Sequence, residues 1–229
     1  MPTKRLIQFD AWSHSRKSDY DKCPRLAKHK HLDKIREPSN AAMQNGTRVH
    51  SVADSYIQNK LKVLPKELKL FAEEFKHLRK IRSQVELEKE MAVTKAWAPT
   101  GWFDHDAWCR AKIDCGYVTD DGVWKIIDFK TGKVRPEKTQ LDLYAAVAVR
   151  HARQDVVLID AELWFLDWGE IVPARHTIDE AMALSKVFDK SVKKMFSDRT
   201  FKPSPGRNCG WCWFGQAGKK KGGPGLCKF

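Results

Sequence analysis

The chain has 229 residues, of which 42% are hydrophobic and 31% are charged, so it can bury one substantial core. It contains no apolar run of about 18 residues, and its N-terminus lacks the apolar segment of a signal peptide. We therefore expect a soluble, cytoplasmic protein with no membrane partner. The 42 Lys and Arg residues exceed the 29 Asp and Glu residues, and the net charge of +13 favours a polyanionic partner, first of all nucleic acid. The alternative is a basic protein without such a partner.

The first third of the chain has the pattern of helices. Residues 15–32 predict a basic helix with Ser15 or Ser18 as its N-cap, and residues 41–60 predict a second helix. Residues 66–82 repeat their apolar positions at intervals of three and four, which is typical of an amphipathic helix.

The second part of the chain alternates strands with helices. One helix is predicted from about Pro136 to Ala152, opened by the proline, and a last helix from about Ile178 to Phe196. Strand patterns occupy residues 85–93, 105–118, 123–129, 156–168 and 170–176. This order predicts an α/β or α+β fold in which helices flank a central mixed β-sheet.

We expect one domain over residues 1–229. It would comprise an N-terminal helical part (1–83), a core (84–200) and a Cys-rich C-terminal tail (201–229). The tail is too short and too rich in Gly and Lys to bury a core of its own.

Two of the strands are joined by the sequence "TDDG", which predicts a tight hairpin. A three-residue loop at 120–122 would place Asp114 directly opposite Asp128, with side chains about 5 Å apart on one face of the sheet. Lys130 shares that face because side chains alternate along a strand. A two-residue Asp-Gly turn would instead pair Asp114 with Phe129 and break this alignment.

Two carboxylates at this spacing need a positive partner. Their repulsion is roughly 4 kcal/mol at an effective dielectric constant near 20. Lys130 alone could balance it in a purely structural Asp-Lys-Asp network. A divalent cation such as Mg²⁺ or Mn²⁺ does so better, because it takes carboxylate oxygens and still leaves room for water and phosphate oxygens. Such a site suits phosphodiester hydrolysis, in which the cation lowers the pKa of a water and a lysine stabilises the charged oxygens.

The segments "AKIDC", "IIDFKTG" and "QLDLYA" together resemble the motif set of the PD-(D/E)XK nuclease superfamily, in particular its RecB-like exonuclease branch. The resemblance covers about residues 15–152 and implies a restriction-endonuclease-like core. It also implies that Asp114 and Asp128 are metal ligands, that Phe129 lends its backbone carbonyl to the metal, and that Lys130 is the catalytic lysine.

The same resemblance extends to residues outside the hairpin. Gln140 and Tyr144 lie one helical turn apart and, by the resemblance, border the active site and hold the catalytic lysine or the DNA strand. His50 corresponds to an additional metal ligand on an upstream helix. The branch also has a glutamate on the strand before the first aspartate, for which Glu90 fits best and Glu88, on the same face, stays open.

The six cysteines fall into two groups. Cys109 and Cys115 stand at odd offsets from Asp114, so we expect them to face away from the acids as core thiols. The remaining four are Cys23, Cys209, Cys212 and Cys227. They resemble the cysteines that bind a 4Fe-4S cluster and join the chain ends in AddB-type and CRISPR adaptation exonucleases. The fourteen residues between Cys212 and Cys227 exceed the spacing of that pattern. Zinc and free thiols stay open as alternatives.

These features together predict a Mg²⁺- or Mn²⁺-dependent DNA exonuclease that acts on single-stranded or duplex ends. The resemblance suggests a role in phage or bacterial recombination and repair, with a recombination or replication protein as a further partner. The sequence contains no phosphate-binding P-loop, so no helicase motor is expected. The alternatives are a non-catalytic nucleic-acid-binding protein on a nuclease fold and a structural-metal interaction module.

Overall fold

The protein is described from a computed structural model over residues 8–135 and 138–229. The chain divides into two compact units. The sheet unit is Ser39–Val187, and the terminal unit combines the described residues up to Pro38 with Phe188–Phe229. These boundaries differ from the predicted division into 1–83, 84–200 and 201–229, because both ends of the chain contribute to the terminal unit.

The described residues form one mixed six-stranded sheet with the order β2-β1-β3-β4-β5-β6. Neighbouring strands are antiparallel except β4 and β5, which pair in parallel and are connected along the chain through a helix. The strands are β1 (Glu86–Val93), β2 (Pro99–Thr100), β3 (Cys109–Val118), β4 (Val123–Lys130), β5 (Leu158–Phe165) and β6 (Glu170–Thr177). The predicted mixed sheet is confirmed, and the two-residue strand β2 was not foreseen. Within the described residues, no helix is both long and apolar enough for a membrane span.

Among the described residues, three α-helices lie wholly within the sheet unit. They are α3 (Ala41–Ile57), α4 (Ala72–Lys80) and α5 (Thr139–His151). The single helix predicted over 66–82 is wrong at its start, because residues 66–71 form a 3₁₀ segment. Its three-residue period brings Leu68 and Phe71 to the same face, where both are buried. The predicted helix start at Pro136 lies outside the described residues.

The core beside α3 and α4 determines the direction of the β4 side chains. Phe71 stacks on Trp164 with ring centroids 5.1 Å apart, and Phe75 packs against Phe129 at 5.3 Å. Since Phe129 points into this core, alternation directs its neighbour Asp128 to the other face of the strand. Cys115 lies in the same core, and Cys109 is also buried and unpaired, so the prediction of two core thiols is confirmed.

The predicted helix over 15–32 is wrong, because the chain leaves helical geometry at Cys23. That residue has φ of −168° and ψ of 117° and separates α1 (His14–Lys22) from the short α2 (Pro24–Ala27). The reason is the proline, which disfavours helical geometry in the residue before it. One turn of π-helix, Lys28–Leu32, then follows α2.

The start of α1 and the later helices complete the terminal unit. Ser13, and not Ser15 or Ser18, is the N-cap, because its side chain accepts a hydrogen bond from the backbone N–H of Arg16. The last long helix, α6 (Ile178–Ser197), crosses from the sheet unit into the terminal unit, and the tail contains the four-residue helix α7 (Gln216–Lys219).

Candidate active site

The hairpin between β3 and β4 has the predicted three-residue loop. Gly122 closes the loop with φ of 80°, a conformation that glycine adopts without strain. The register pairs Cys115 with Ile127, so the next residues outward, Asp114 and Asp128, face each other across the two strands. The alternative two-residue turn is therefore wrong.

Asp114 is held between the next strand and helix α3. The backbone N–H of Phe129 donates to its Oδ2 at 2.7 Å. His50, on α3, places Nδ1 3.2 Å from Oδ1 of Asp114, and the same imidazole also bonds the backbone carbonyl of Phe129. The imidazole, the carboxylate and the carbonyl predicted as metal ligands are thus brought together in one place.

The pKa values at this point show how closely the charges are packed. Burial raises the pKa of Asp114, and the negative charge of Asp128 raises it further, while the hydrogen bond from His50 opposes both. Burial alone would lower the pKa of His50, but the hydrogen bond to Asp114 and the charges of both aspartates outweigh it and raise that pKa. The arrangement therefore favours a positive charge next to the two carboxylates.

Asp128 has a separate set of partners. It is 4% exposed, and its Oδ2 lies 2.5 Å from Nζ of Lys130. Gln140 donates to Oδ1 at 3.0 Å, and the Tyr144 hydroxyl donates to the same oxygen. Burial, followed by the charge of Asp128, raises the pKa of Tyr144 well above its usual value, so the phenol stays a donor. The hydrogen bonds of Gln140 and Tyr144 therefore both go to Asp128.

The strand glutamate that approaches Asp114 is Glu88. Its φ of 51° is left-handed, and the β1–β3 ladder pairs the residues on either side of it but not Glu88 itself. A carboxylate oxygen of Glu88 and ligand atoms of His50 and Asp114 all lie within 4.8 Å of one another. Glu90, the residue preferred from the sequence, is not in this group, and Lys112 contacts both glutamates, at 2.5 Å from Glu88 and 4.0 Å from Glu90.

Asp54 is a further acid that the sequence analysis did not single out. It lies on α3 one turn after His50, so the two side chains share a helix face. Burial, together with the negative charges of Glu88 and Asp114, raises its pKa to about 6. The spacing of four residues from a candidate histidine ligand was the available signal.

The donor set fits a divalent cation. Among the residues that the structure describes, His50, Glu88 and Asp114 are the one group of three whose ligand atoms approach this closely. Carboxylate oxygens with one imidazole suit Mg²⁺ or Mn²⁺. Asp128 adds no fourth atom at that spacing, since its oxygens face Lys130 and the two donors on α5.

Residues 11–217 match the family model of the PD-(D/E)XK nuclease superfamily. The chain belongs to this superfamily. Two solved structures resemble its fold. SSO0001 is 13% identical, with 92% of this chain and 87% of that chain covered and a TM-score of 0.44. A candidate exonuclease from Eubacterium rectale is 12% identical, with coverages of 90% and 88% and a TM-score of 0.49. A comparison with curated proteins found no match.

Membership of the PD-(D/E)XK superfamily supports a nuclease activity for this chain, which is the hydrolysis of a nucleic acid with a divalent metal. Its two strand aspartates and Lys130 occupy the hairpin at the centre of the matched segment. The fold class predicted from the sequence is that of the superfamily.

The terminal unit of this PD-(D/E)XK protein gathers its other four cysteines around one cavity of about 150 Å³. All four are unpaired: Cys23, Cys209, Cys212 and Cys227. The backbone N–H of Ser204 donates to the sulfur of Cys23, and that of Gly206 to the sulfur of Cys209, each at 3.4 Å. Burial raises the pKa of Cys212, although backbone N–H groups of Phe214 and Gly215 oppose this.

The aromatic residues of the tail divide between the surface and the cavity. Trp211 is 75% exposed, whereas Phe214 is buried and packs on His29 with ring centroids 5.4 Å apart. Trp211 and Trp213 also line the cavity. Trp211 therefore combines a largely exposed ring with a place in the cavity wall, which Trp213 and Phe214 share.

Proposed function

We propose that this protein is a Mg²⁺- or Mn²⁺-dependent DNA exonuclease that hydrolyses phosphodiester bonds at single-stranded or duplex ends. The observation that carries the proposal is the acidic hairpin. Asp114 and Asp128 face each other, with His50 and Glu88 beside the first and Lys130 paired to the second. A protein that merely binds nucleic acid gains nothing from clustered acids facing phosphates.

The residues that would hold the cation are on the Asp114 side of the site. His50, Glu88 and Asp114 supply the closest ligand atoms, and the Phe129 carbonyl and Asp128 border them. When bound there, the cation would lower the pKa of a water and stabilise negative charge on the phosphate. Glu90 has no place in this set, and we assign its predicted role to Glu88.

Lys130 is the residue that we expect to act on the phosphate. Its Nζ is held 2.5 Å from Asp128, and it is partly exposed, so a substrate oxygen can reach it. An ammonium group placed in advance stabilises charge that develops on the reacting oxygens without reorganising during the reaction. Gln140 and Tyr144 act through Asp128, because their hydrogen bonds hold the carboxylate to which the lysine is paired.

The substrate and setting are argued from charge and from the motif set. The net charge of +13 favours a polyanion, and the Gln140–Tyr144 spacing is that of the RecB-like exonuclease branch. On this basis we place the enzyme in phage or bacterial recombination and repair in the cytoplasm. A recombination or replication protein would be its partner.

For the terminal unit we propose a 4Fe-4S cluster in the cysteine cavity. A tetrahedral zinc site, with Zn–S bonds of about 2.3 Å, would bring its sulfurs about 3.8 Å from one another. Among the described residues, no three of the four sulfurs lie within 4.8 Å of one another. The wider spacing favours a cluster whose cysteines bind different iron atoms, with zinc as the alternative.

The test is digestion of DNA labelled at either end, single-stranded and duplex, beside covalently closed circles. We expect release of nucleotides from linear DNA with Mg²⁺ or Mn²⁺, none with EDTA, and intact circles. Asp114→Asn should abolish release, whereas Asp120→Asn, at an exposed position of the hairpin loop, should not. Cleavage of the closed circles would show that the protein is an endonuclease and not an exonuclease. If the wild type binds DNA but releases no nucleotides, the protein is the non-catalytic nucleic-acid-binding protein considered as the alternative.

A further inference from the structure

The connection between β1 and β3, residues 94–108, carries an exposed aromatic side chain that the proposed hydrolysis does not use. Phe103 is 88% exposed, the highest value among the large apolar side chains that the structure describes. Isolated apolar residues are common on protein surfaces, so exposure alone does not indicate a site. What distinguishes Phe103 is the ordered turn that carries it and the basic strand face beside that turn.

The turn is held at both ends. The short strand β2 pairs with β1, and Trp97 and Trp108 are buried at the two ends of the connection with ring centroids 5.7 Å apart. Between them, Asp104 accepts a hydrogen bond from the backbone N–H of Gly101 at 2.8 Å. Phe103 is therefore presented to solvent by a defined turn, and a ligand that contacts its ring has little chain left to order.

Trp102, the residue before Phe103, connects the turn with β3. Its backbone carbonyl accepts a hydrogen bond from Nε of Arg110 at 2.8 Å, and the guanidinium carbon of Arg110 lies 5.8 Å from the centroid of the Trp102 ring. The hydrogen bond uses Nε alone, and no carboxylate of the described residues forms an ion pair with Arg110. Its two Nη groups are thus available to an acceptor, and a phosphate matches the geometry of the guanidinium group.

The basic face of β3 continues from this turn to the acidic site. Arg110 and Lys112 stand four and two residues before Asp114, so strand alternation places all three side chains on one face. At about 3.3 Å per residue, Arg110 lies about 13 Å along the strand from Asp114. The Lys112 side chain is 43% exposed and contacts Glu88, a member of the proposed cation site. An exposed ring, two cations and the acidic site therefore follow one another along the sheet.

The acidic residues of the turn are occupied within it. The hydroxyl of Thr100 lies 2.9 Å from a carboxylate oxygen of Asp104 and 2.9 Å from one of Asp106. The backbone N–H of Gly101 and this hydroxyl lower the pKa of Asp104. These contacts partly compensate the two negative charges, whereas Arg110 and Lys112 supply positive charge on the strand face.

We propose that Phe103, Arg110 and Lys112 bind a single strand of DNA that enters the acidic site. The ring of Phe103 stacks on a base, and the two cations contact phosphates between that base and the scissile bond. A single strand fits because its bases are open for stacking, whereas a duplex exposes only its terminal pair. The inference rests on the proposed nuclease function, from which it takes the position of the scissile phosphate, and it narrows the substrate to a single-stranded end.

The experiment measures binding of the full chain to a fluorescent thymidine oligomer of about 15 nucleotides, with Ca²⁺ in place of Mn²⁺ and at several salt concentrations. Phe103→Ala should weaken binding about tenfold through the loss of one stacked base, without changing the salt dependence. Phe103→Trp should restore the affinity. Arg110→Gln and Lys112→Gln should each lower the slope of log affinity against log salt by about 0.7, because one phosphate contact is lost.

Two matched variants and a second ligand serve as controls. Val63→Ala changes another apolar side chain, 80% exposed, outside this face and should bind like the wild type. Arg82→Gln removes an exposed charge before the other end of β1 and should leave the salt slope unchanged. A blunt duplex should bind equally to the wild type and to Phe103→Ala.

The inference and its premise fail in different ways. Equal affinities of the wild type and Phe103→Ala for the oligomer, or an equal loss on the blunt duplex, would overturn the single-strand site, while release of nucleotides by the wild type would keep the nuclease function. A wild type that binds the oligomer through Phe103 but releases nothing from it with Mn²⁺ would overturn the hydrolysis and keep the single-strand site.

Discussion

The acidic site of the sheet unit and the cysteine cavity of the terminal unit differ in both their donor atoms and their place in the chain. The acidic site takes its closest ligands from α3, β1 and β3, and all of its donors are oxygen or imidazole. The cavity is lined by the cysteine at residue 23 and by the three cysteines within residues 209–227, near the two ends of the chain. Oxygen ligands leave positions for water and phosphate, whereas a closed thiolate site ties segments together. The first arrangement suits chemistry and the second suits stability.

The sharpest test of this contrast is Asp128→Asn. The amide keeps the shape of the buried side chain but removes the charge that holds Lys130 beside the proposed cation site. We expect hydrolysis to fall by on the order of 10³-fold, with the fold retained. The rate of nucleotide release and the thermal unfolding midpoint measure the two effects.

Asp120→Asn is the matched control for that change, because this hairpin residue is exposed and lies outside the site. Its rate should equal that of the wild type. If Asp128→Asn keeps more than about a tenth of the activity, the acidic hairpin does not perform the chemistry.

A substitution in the cysteine cavity should instead lower the stability of the protein. Cys212→Ser removes a sulfur that accepts hydrogen bonds from the backbone N–H groups of Phe214 and Gly215. We expect loss of bound metal and a fall of about 2–5 kcal/mol in the free energy of unfolding, because binding at such a site contributes directly to folding. Below the unfolding temperature, the variant should keep most of its nuclease activity. Metal analysis, thermal unfolding and end-labelled DNA provide the three measurements.

Cys109→Ala is the control for Cys212→Ser. Cys109 is fully buried in the sheet unit, so its loss should cost on the order of 1 kcal/mol without affecting bound metal. If Cys212→Ser abolishes hydrolysis while the protein stays folded, the contrast between a chemical and a structural site breaks down.

The part of the active site that could be predicted is the part that depends on local sequence. The loop at 120–122 sets the register of one hairpin, and that register alone brings Asp114 opposite Asp128. Lys130 follows from strand alternation. Similarly, the break at Cys23 could have been read from the proline that follows it.

The residues that could not be predicted depend on irregular or non-local geometry. Alternation puts Glu88 and Glu90 on one face, but the left-handed backbone at Glu88 ends the regular pattern there, and no sequence signal marks it. The four cysteines were grouped by their resemblance to an iron–sulfur motif, and the structure places all four in the wall of one cavity.

The pair Glu88→Gln and Glu90→Gln sharpens the description of the acidic site. Glu88 lies within the ligand group, whereas Glu90 lies outside it. We expect a loss of about 10²-fold in activity for the first variant and a change of less than about threefold for the second. Titration of Mn²⁺ against activity should show that Glu88→Gln also raises the half-saturating concentration. The opposite ranking would return the role to Glu90.

The smallest effect that we expect is that of Tyr144→Phe. The change removes one of two hydrogen bonds to Oδ1 of Asp128 and leaves Gln140 as the remaining donor. A loss of about 1.4 kcal/mol in transition-state stabilisation corresponds to about a tenfold lower rate. Tyr117→Phe, on the neighbouring strand with its ring against His77, is the control and should leave the rate unchanged. Equal rates for the two variants would mean that Gln140 alone positions the carboxylate, because the buried phenol would then contribute to packing and not to the site.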